Sequence, residues 1–267
     1  MKSRLIERDN VTYQEIGQPG WTREDLEHEL EMFLHTYENR PVRDNQGGMT
    51  SAHLFPTWFF CRIFQPRYII ESGIWKGLGT WMFEQACPTA NIICLDPVME
   101  NRQYVSPSAE YSRQDFSLKN WDFIADGDRA RTLCFFDDHQ GAHRLRQAYN
   151  LGFTHILYED NYNDGRGHEG VFPPPYEGEN ISPKSALAGL NDNLATWIHQ
   201  HAHTYYEFPP IYSAADSTRG YEWANVSREE YIAMTPPPLF NEYEEQYRTF
   251  HEEAAGYTWI SYIKLGE

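Results

Sequence analysis

Ile69-Ile70-Glu71-Ser72-Gly73-Ile74-Trp75-Lys76-Gly77-Leu78-Gly79-Thr80 is a short apolar run that breaks into a turn carrying three glycines. Residues 79–86 then have the composition of a helix, stopped by Pro88, and residues 91–95 form a second apolar run that ends at Asp96. Strand, glycine turn, helix and strand make the repeating unit of a parallel sheet with helices on its faces. Glycine suits a turn where a ligand presses against backbone, because a Cβ would block the approach. Asp96, at the end of the neighbouring strand, stands where a carboxylate takes the hydroxyls of a ribose bound at that turn.

Working outward, the alternation continues. A strand is expected over 68–71, a weaker one over 111–116, and another over 132–136 running into Asp137-Asp138-His139. A helix over 142–151 closes at Gly152, and a strand over 155–158 leads into Glu159-Asp160-Asn161. Residues 161–182 are rich in Gly, Asn and Pro and read as a long loop, after which Pro183 opens a helix to about Ile198. Strands are expected over 204–212 and 257–265, and Ser227 with Glu230 has capping-box spacing. Before the glycine turn, Leu26, Leu30, Phe33 and Leu34 mark a helix over 22–37, Gly47-Gly48 interrupts the chain, and 54–64 is aromatic and helical after Pro56. The fold expected is α/β: a Rossmann-like, doubly wound, mostly parallel sheet with an antiparallel C-terminal strand. Residues 1–50 are read as an N-terminal helical arm and 51–267 as the sheet domain, with the long loop at 161–182.

Two acidic clusters close neighbouring strands of such a sheet, on the edge where the glycine turn opens. Carboxylates gathered there repel one another at about 4–6 Å unless protons or a cation intervene, and a divalent, oxygen-preferring ion is the natural resolution. Side chains alternate across a strand, so one acid of each pair is expected to face the site.

The spacing Glu71-x-Gly73-x-x-x-Gly77 resembles the first motif of class I S-adenosylmethionine-dependent methyltransferases. Its form with Trp75 is similar to that of the macrocin and mycinamicin sugar O-methyltransferases and the related cephalosporin hydroxylase group. The resemblance implies that Glu71, Gly73, Trp75 and Gly77 surround the amino-acid end of S-adenosylmethionine. It further implies that Asp96 holds the ribose and that Asp115 and Phe116 flank the adenine. It implies a magnesium site, or one for another divalent ion, on Asp138 (or Asp137), Glu159 and Asp160, with His139 or His143 as the general base. The activity it implies is methyl transfer to a hydroxyl of a sugar or glycosylated small molecule. A hydroxylase-like enzyme on the same fold and a non-catalytic interaction protein stay open as alternatives.

Composition narrows the remaining field. A formal charge of −17 opposes binding to nucleic acid or to an anionic membrane. Apolar runs fall short of the ~18 residues of a membrane helix, and residues 1–10 lack an export signal, so a cytoplasmic protein is expected. Self-association into a homo-oligomer stays open. Cys61, Cys87, Cys94 and Cys134 lie among apolar neighbours and read as buried free thiols. His199, His201 and His203 read as a helix end rather than a metal site, and His168 as a loop histidine. The segment Trp58-Phe59-Phe60 reads as core. Motifs of P-loop enzymes, nucleophile-elbow hydrolases and zinc proteases are absent from the sequence.

Overall fold

A computed structural model describes residues 5–8, 11–14, 16–161, 181–213 and 227–266. An antiparallel hairpin, β1 (Leu5–Arg8) and β2 (Val11–Gln14), precedes helices α1 (Arg23–Glu38) and α2 (Ser51–Phe64). The sheet is then built from β3 (Tyr68–Ser72), β4 (Asn91–Leu95), β5 (Glu110–Ser112), β6 (Thr132–Phe136), β7 (His155–Tyr158), β8 (Ala202–Glu207) and β9 (Ser261–Leu265). Its order is β5-β4-β3-β6-β7-β9-β8, and β9 alone runs antiparallel to its neighbours. This is the Rossmann-like sheet expected. The chain winds outward from β3 through β4 to β5, then returns to β6 on the other side, so the switch point lies between β3 and β6.

Register decides what meets at that point. Ser72 pairs with both Leu95 and Phe136, and Phe136 pairs with Tyr158. Four strands therefore end level, and the residues that follow them (Gly73, Asp96, Asp137 and Glu159) leave the sheet side by side.

Side-chain alternation sends Ile69, Leu133, Phe135 and Leu157 into one apolar cluster and Ile70, Cys134, Phe136 and Ile156 into the other. The first is shared with α1, α2 and helix α3 (Leu78–Ala86). After the short helix α4 (Asp126–Arg129), the second is covered by α5 (His143–Asn150) and by the helix Asp192–His201. Thr22 caps α1 in a reciprocal box with Asp25, and its Leu26, Leu30, Phe33 and Tyr37 are buried. The arm is thus packed into the main core. All four cysteines are free and buried, as expected.

Several boundaries differ from expectation. Helix α2 starts at Ser51 and carries Pro56 inside, because Thr50 and His53 close a capping box one turn ahead of the proline. The helix expected from Pro183 to Ile198 is broken: Gly189 takes φ +99° and Asn191 caps a fresh start. The weak strand is confined to Glu110–Ser112, and the last two strands occupy Ala202–Glu207 and Ser261–Leu265. Near the C-terminus a 3-10 turn (Glu245–Tyr247) leads into the helix Arg248–Glu252. The long loop, His168 included, lies largely outside the described residues. Among the described residues, no helix is long and apolar enough to cross a membrane.

Candidate functional site

The level strand ends enclose a cavity of about 330 Å³. The glycine turn (Ser72 to Trp75) forms one wall and Asp96 to Val98 another; Arg113 to Asp115 line a third side, and Asp137 to Gln140 with Arg144 complete it. Gly47 and Gly48 of the arm also line it. They are held there by the turn itself: Trp75 Nε1 donates to the Gln46 carbonyl at 3.1 Å and Lys76 Nζ to the Asp44 carbonyl at 2.7 Å.

Asp96 organises the turn. Its Oδ2 accepts the Ile74 amide at 2.9 Å and its Oδ1 accepts the Val98 amide at 2.8 Å, while the carboxylate still lines the cavity. The glycines are required by protein rather than by open ligand space. A Cβ on Gly73 (φ +93°) would lie 2.0 Å from the Asp137 carbonyl oxygen, and one on Gly77 (φ +87°) 2.4 Å from that of Tyr104. Gly79 clears the Glu71 carboxyl, whose Oε1 lies 2.4 Å from the equivalent position.

Glu71 is fully buried and does not line the cavity. Its Oε2 accepts from Thr80 Oγ1 at 2.5 Å and from Cys94 Sγ at 3.2 Å. Burial, only partly offset by these bonds, pushes its pKa up to about 8. Phe116 is likewise absent from the cavity: it sits at 0% exposure against Trp121, Phe136 and Phe153. An aromatic directly after Asp115 alternates away from the cleft into the second core. Of the residues implied for the cofactor, Gly73, Trp75, Asp96 and Asp115 line the cavity, whereas Glu71, Gly77 and Phe116 support it from behind.

Arg144, from the first turn of α5, is one residue the sequence did not reveal. It is 2% exposed, its Nε donates to Asp138 Oδ2 at 2.8 Å, and its Nη atoms grip both oxygens of Asp115. Burial alone would raise the Asp115 pKa, but the guanidinium and Ser117 outweigh it and hold the carboxyl well below its usual range. Asp138 also accepts from Ser72 Oγ at 2.6 Å. Of the two aspartates left open as ligands, Asp138 is thus the one engaged by Arg144 and Ser72.

The acidic cluster joins Asp137, His139 and Asp160, whose ligand atoms lie within 4.8 Å of one another. His139 Nε2 is 3.2 Å from Asp160 Oδ2 and 3.9 Å from Asp137 Oδ1. Both His139 (φ +55°) and Asp160 (φ +51°) hold left-handed backbone, a conformation that costs about 1 kcal/mol or more away from glycine. Burial first, and then Asp160, raises Asp137 to about 7. The hydrogen bond to Asp160 raises His139 to about 9 against the opposing effect of burial. Glu159 lies behind the cluster, 4% exposed, accepting from Thr258 Oγ1 at 2.8 Å, and burial holds its carboxyl far above the carboxylate range. His143 is buried on α5 and does not line the cavity. His53, also unforeseen, places Nε2 at 3.3 Å from Glu159 Oε1. His201, which stacks on Trp197, is bonded through Nδ1 to the Trp197 carbonyl oxygen, consistent with a helix end.

No family model and no curated protein matches the sequence. Among solved structures, the chain resembles the SAH-bound methyltransferase PaMTH1 of Podospora anserina at 14% identity and TM-score 0.43, over 73% of this chain and 95% of that one. It resembles cofactor-bound Rv0187 from MTB at 13% identity and TM-score 0.40, over 72% and 93% of the respective chains. The likeness to apo CmcI-N160 is 12% identical at TM-score 0.33; it covers 40% of this chain and spans 51%, about half, of that one.

Proposed function

We propose that the chain is an S-adenosylmethionine-dependent O-methyltransferase that works with a divalent cation on a hydroxyl of a small molecule, such as a sugar or glycoside. The observation that carries this reading is the single cavity running from Gly73 and Asp96 to Asp137 and His139. A nucleoside against the turn and an acceptor against the acidic end would share one cleft.

S-adenosylmethionine supplies an electrophilic methyl on a sulfonium, so the protein has mainly to align donor and acceptor. Asp96 keeps the turn in shape and offers its carboxylate to a ribose. Trp75 and Gly47-Gly48 wall the amino-acid end, and Asp115, fixed by Arg144, borders the purine end.

The donor set suits a divalent ion: two carboxylates and an imidazole within 4.8 Å, held on strained backbone. Asp137 and Asp160 would hold it, in the manner of a hydrated cation bound by one or two carboxylates. Such an ion would lower the pKa of a coordinated hydroxyl. His139, with half of its side chain exposed and lining the cavity, is our candidate to receive the acceptor's proton. The two aspartates keep it protonated at neutral pH, and neutralising them frees the imidazole to act as a base.

Calorimetry with S-adenosylhomocysteine, with and without Mn2+, tests the reading, followed by transfer of a labelled methyl group to a panel of glycosides. Micromolar binding that strengthens or stays with Mn2+ is expected. Absence of binding at high micromolar S-adenosylhomocysteine would overturn it.

A further inference from the structure

We infer that His53 is a positioning residue of this site: from the first turn of α2 it holds the Glu159 carboxyl in place against Asp137 and Asp160. The inference rests on the reading above, in which those two aspartates hold a cation.

The geometry starts at a helix cap. His53 occupies the third position of α2, and its Nδ1 accepts the Thr50 amide at 2.8 Å. A ring nitrogen that accepts a backbone N–H carries no proton, so the hydrogen of a neutral imidazole resides on Nε2. Nε2 is the atom that faces Glu159 Oε1 at 3.3 Å. Thr258 Oγ1 donates to the same oxygen at 2.8 Å. The Thr258 hydroxyl and the His53 Nε2 atom, from different parts of the chain, thus both face one oxygen of a carboxyl group. His53 and Glu159 are 2% and 4% exposed, so bulk water is kept from this contact.

Glu159 in turn lies close enough to Asp137 and Asp160 that, after burial, their charges help to raise its carboxyl pKa. Fixing its Oε1 orients the rest of the group toward the two aspartates. Asp160 follows directly and cannot relax independently, because the Asn161 amide is tied to the Thr258 carbonyl at 3.1 Å. The packing around the cap leaves no slack: a Cβ on Gly256 would lie 2.4 Å from Thr50 Oγ1 and 3.3 Å from His53 Cε1. The next two residues of α2, Leu54 and Phe55, simply fill the core. A histidine among them, with each ring nitrogen facing a polar partner, is a chemical choice rather than a choice of volume. Groups that orient ligand carboxylates typically change metal affinity by about 10–100-fold when removed.

Three variants of the full chain separate this role from packing. His53→Gln keeps an acceptor for the Thr50 amide and an N–H for Glu159, as glutamine at this capping position does. His53→Asn reaches the amide but not Glu159, and Thr258→Val removes the second donor at nearly constant shape. Mn2+ affinity is read by electron paramagnetic resonance, S-adenosylhomocysteine affinity by calorimetry, and folding by thermal melts. The expected result is Mn2+ binding weakened about 10–100-fold in His53→Asn and Thr258→Val. In His53→Gln it stays near the wild-type value, and all three keep S-adenosylhomocysteine affinity. Wild-type Mn2+ affinity in His53→Asn, or equal weakening in His53→Gln, would overturn the inference. If His53→Asn does not fold, the contrast between Thr258→Val and His53→Gln decides in the same way. A wild-type chain that binds S-adenosylhomocysteine but not Mn2+ would remove the cation reading and this inference with it, leaving the cofactor reading intact.

Discussion

The carbonyl oxygen of Asp137 lies 2.0 Å from where a Cβ of Gly73 would stand. The turn expected to receive the cofactor and the strand end expected to receive the cation are therefore in backbone contact. Gly73 also has φ +93°, so an alanine there suffers twice. Gly73→Ala should destabilise the fold by about 2–4 kcal/mol, combining left-handed strain with a displaced Asp137. It should weaken Mn2+ and S-adenosylhomocysteine binding together. Gly127→Ala, with open space around it and no positive φ, is the control and should stay within about 0.5 kcal/mol in denaturant melts.

Arg144 neutralises two carboxylates, Asp115 and Asp138, that both line the cavity. Arg144→Met would leave Asp115 and Asp138 facing each other without a cation in a largely buried setting, a change that typically costs about 3–5 kcal/mol. Arg144→Lys keeps the charge but cannot serve both carboxylates through a fork, so an intermediate loss is expected. Urea melts give the ranking. An Arg144→Met protein as stable as wild type would show that the bridge is of little consequence.

How far the site was legible follows from where each determinant lies in the chain. Gly73 and Asp96 were readable because strand, turn and helix signals flank them within one βαβ unit. The choice between Asp137 and Asp138 was not, since alternation cannot tell which acid is claimed by Arg144, a residue on the far side of Gly141. An arginine in the first turn of the following helix was the available signal. Glu71 and Gly77 carry the spacing of the motif they resemble yet do not line the cavity, and two of the groups they meet, Cys94 and the Tyr104 carbonyl, lie outside that local stretch of sequence. His53 was hidden inside an aromatic segment, and only its distance from Thr50 hinted at a cap. The break at Gly189 was missed because an exposed glycine inside an apolar-periodic run gives a weak local signal.

The buried Glu71 sets a pH dependence of stability. Its pKa is about 8 in the folded chain against 4.5 in the unfolded one, so between these values the native state holds a proton that the unfolded state has released. Stability from this group is fully present below about pH 4.5 and is lost as pH rises toward 8, at up to about 1.4 kcal/mol per unit. Asp137, raised to about 7, acts in the same direction. Glu71→Gln, which keeps the shape without the proton, should flatten the decline in melting temperature between pH 5 and 8 without abolishing it. An unchanged slope would mean that Glu71 is ionised in the folded chain.

Asp138 and Asp160 are both aspartates at strand ends, but only Asp160 is within reach of His139, at 3.2 Å, while Asp138 is spent on Arg144 and Ser72. Their amide variants should therefore behave differently. Asparagine tolerates the left-handed backbone of Asp160, so Asp160→Asn removes charge without adding strain. It should weaken Mn2+ by about 10-fold or more and leave S-adenosylhomocysteine binding within about threefold, with the loss of one anionic ligand as the cause. It should also lower the pKa of His139 from about 9 toward the ordinary imidazole range, because the hydrogen bond that raises it loses its charge. Asp138→Asn should leave Mn2+ affinity near wild type and cost stability instead. The opposite pattern, with Mn2+ lost in Asp138→Asn and kept in Asp160→Asn, would mean that Arg144 releases Asp138 when the cation binds.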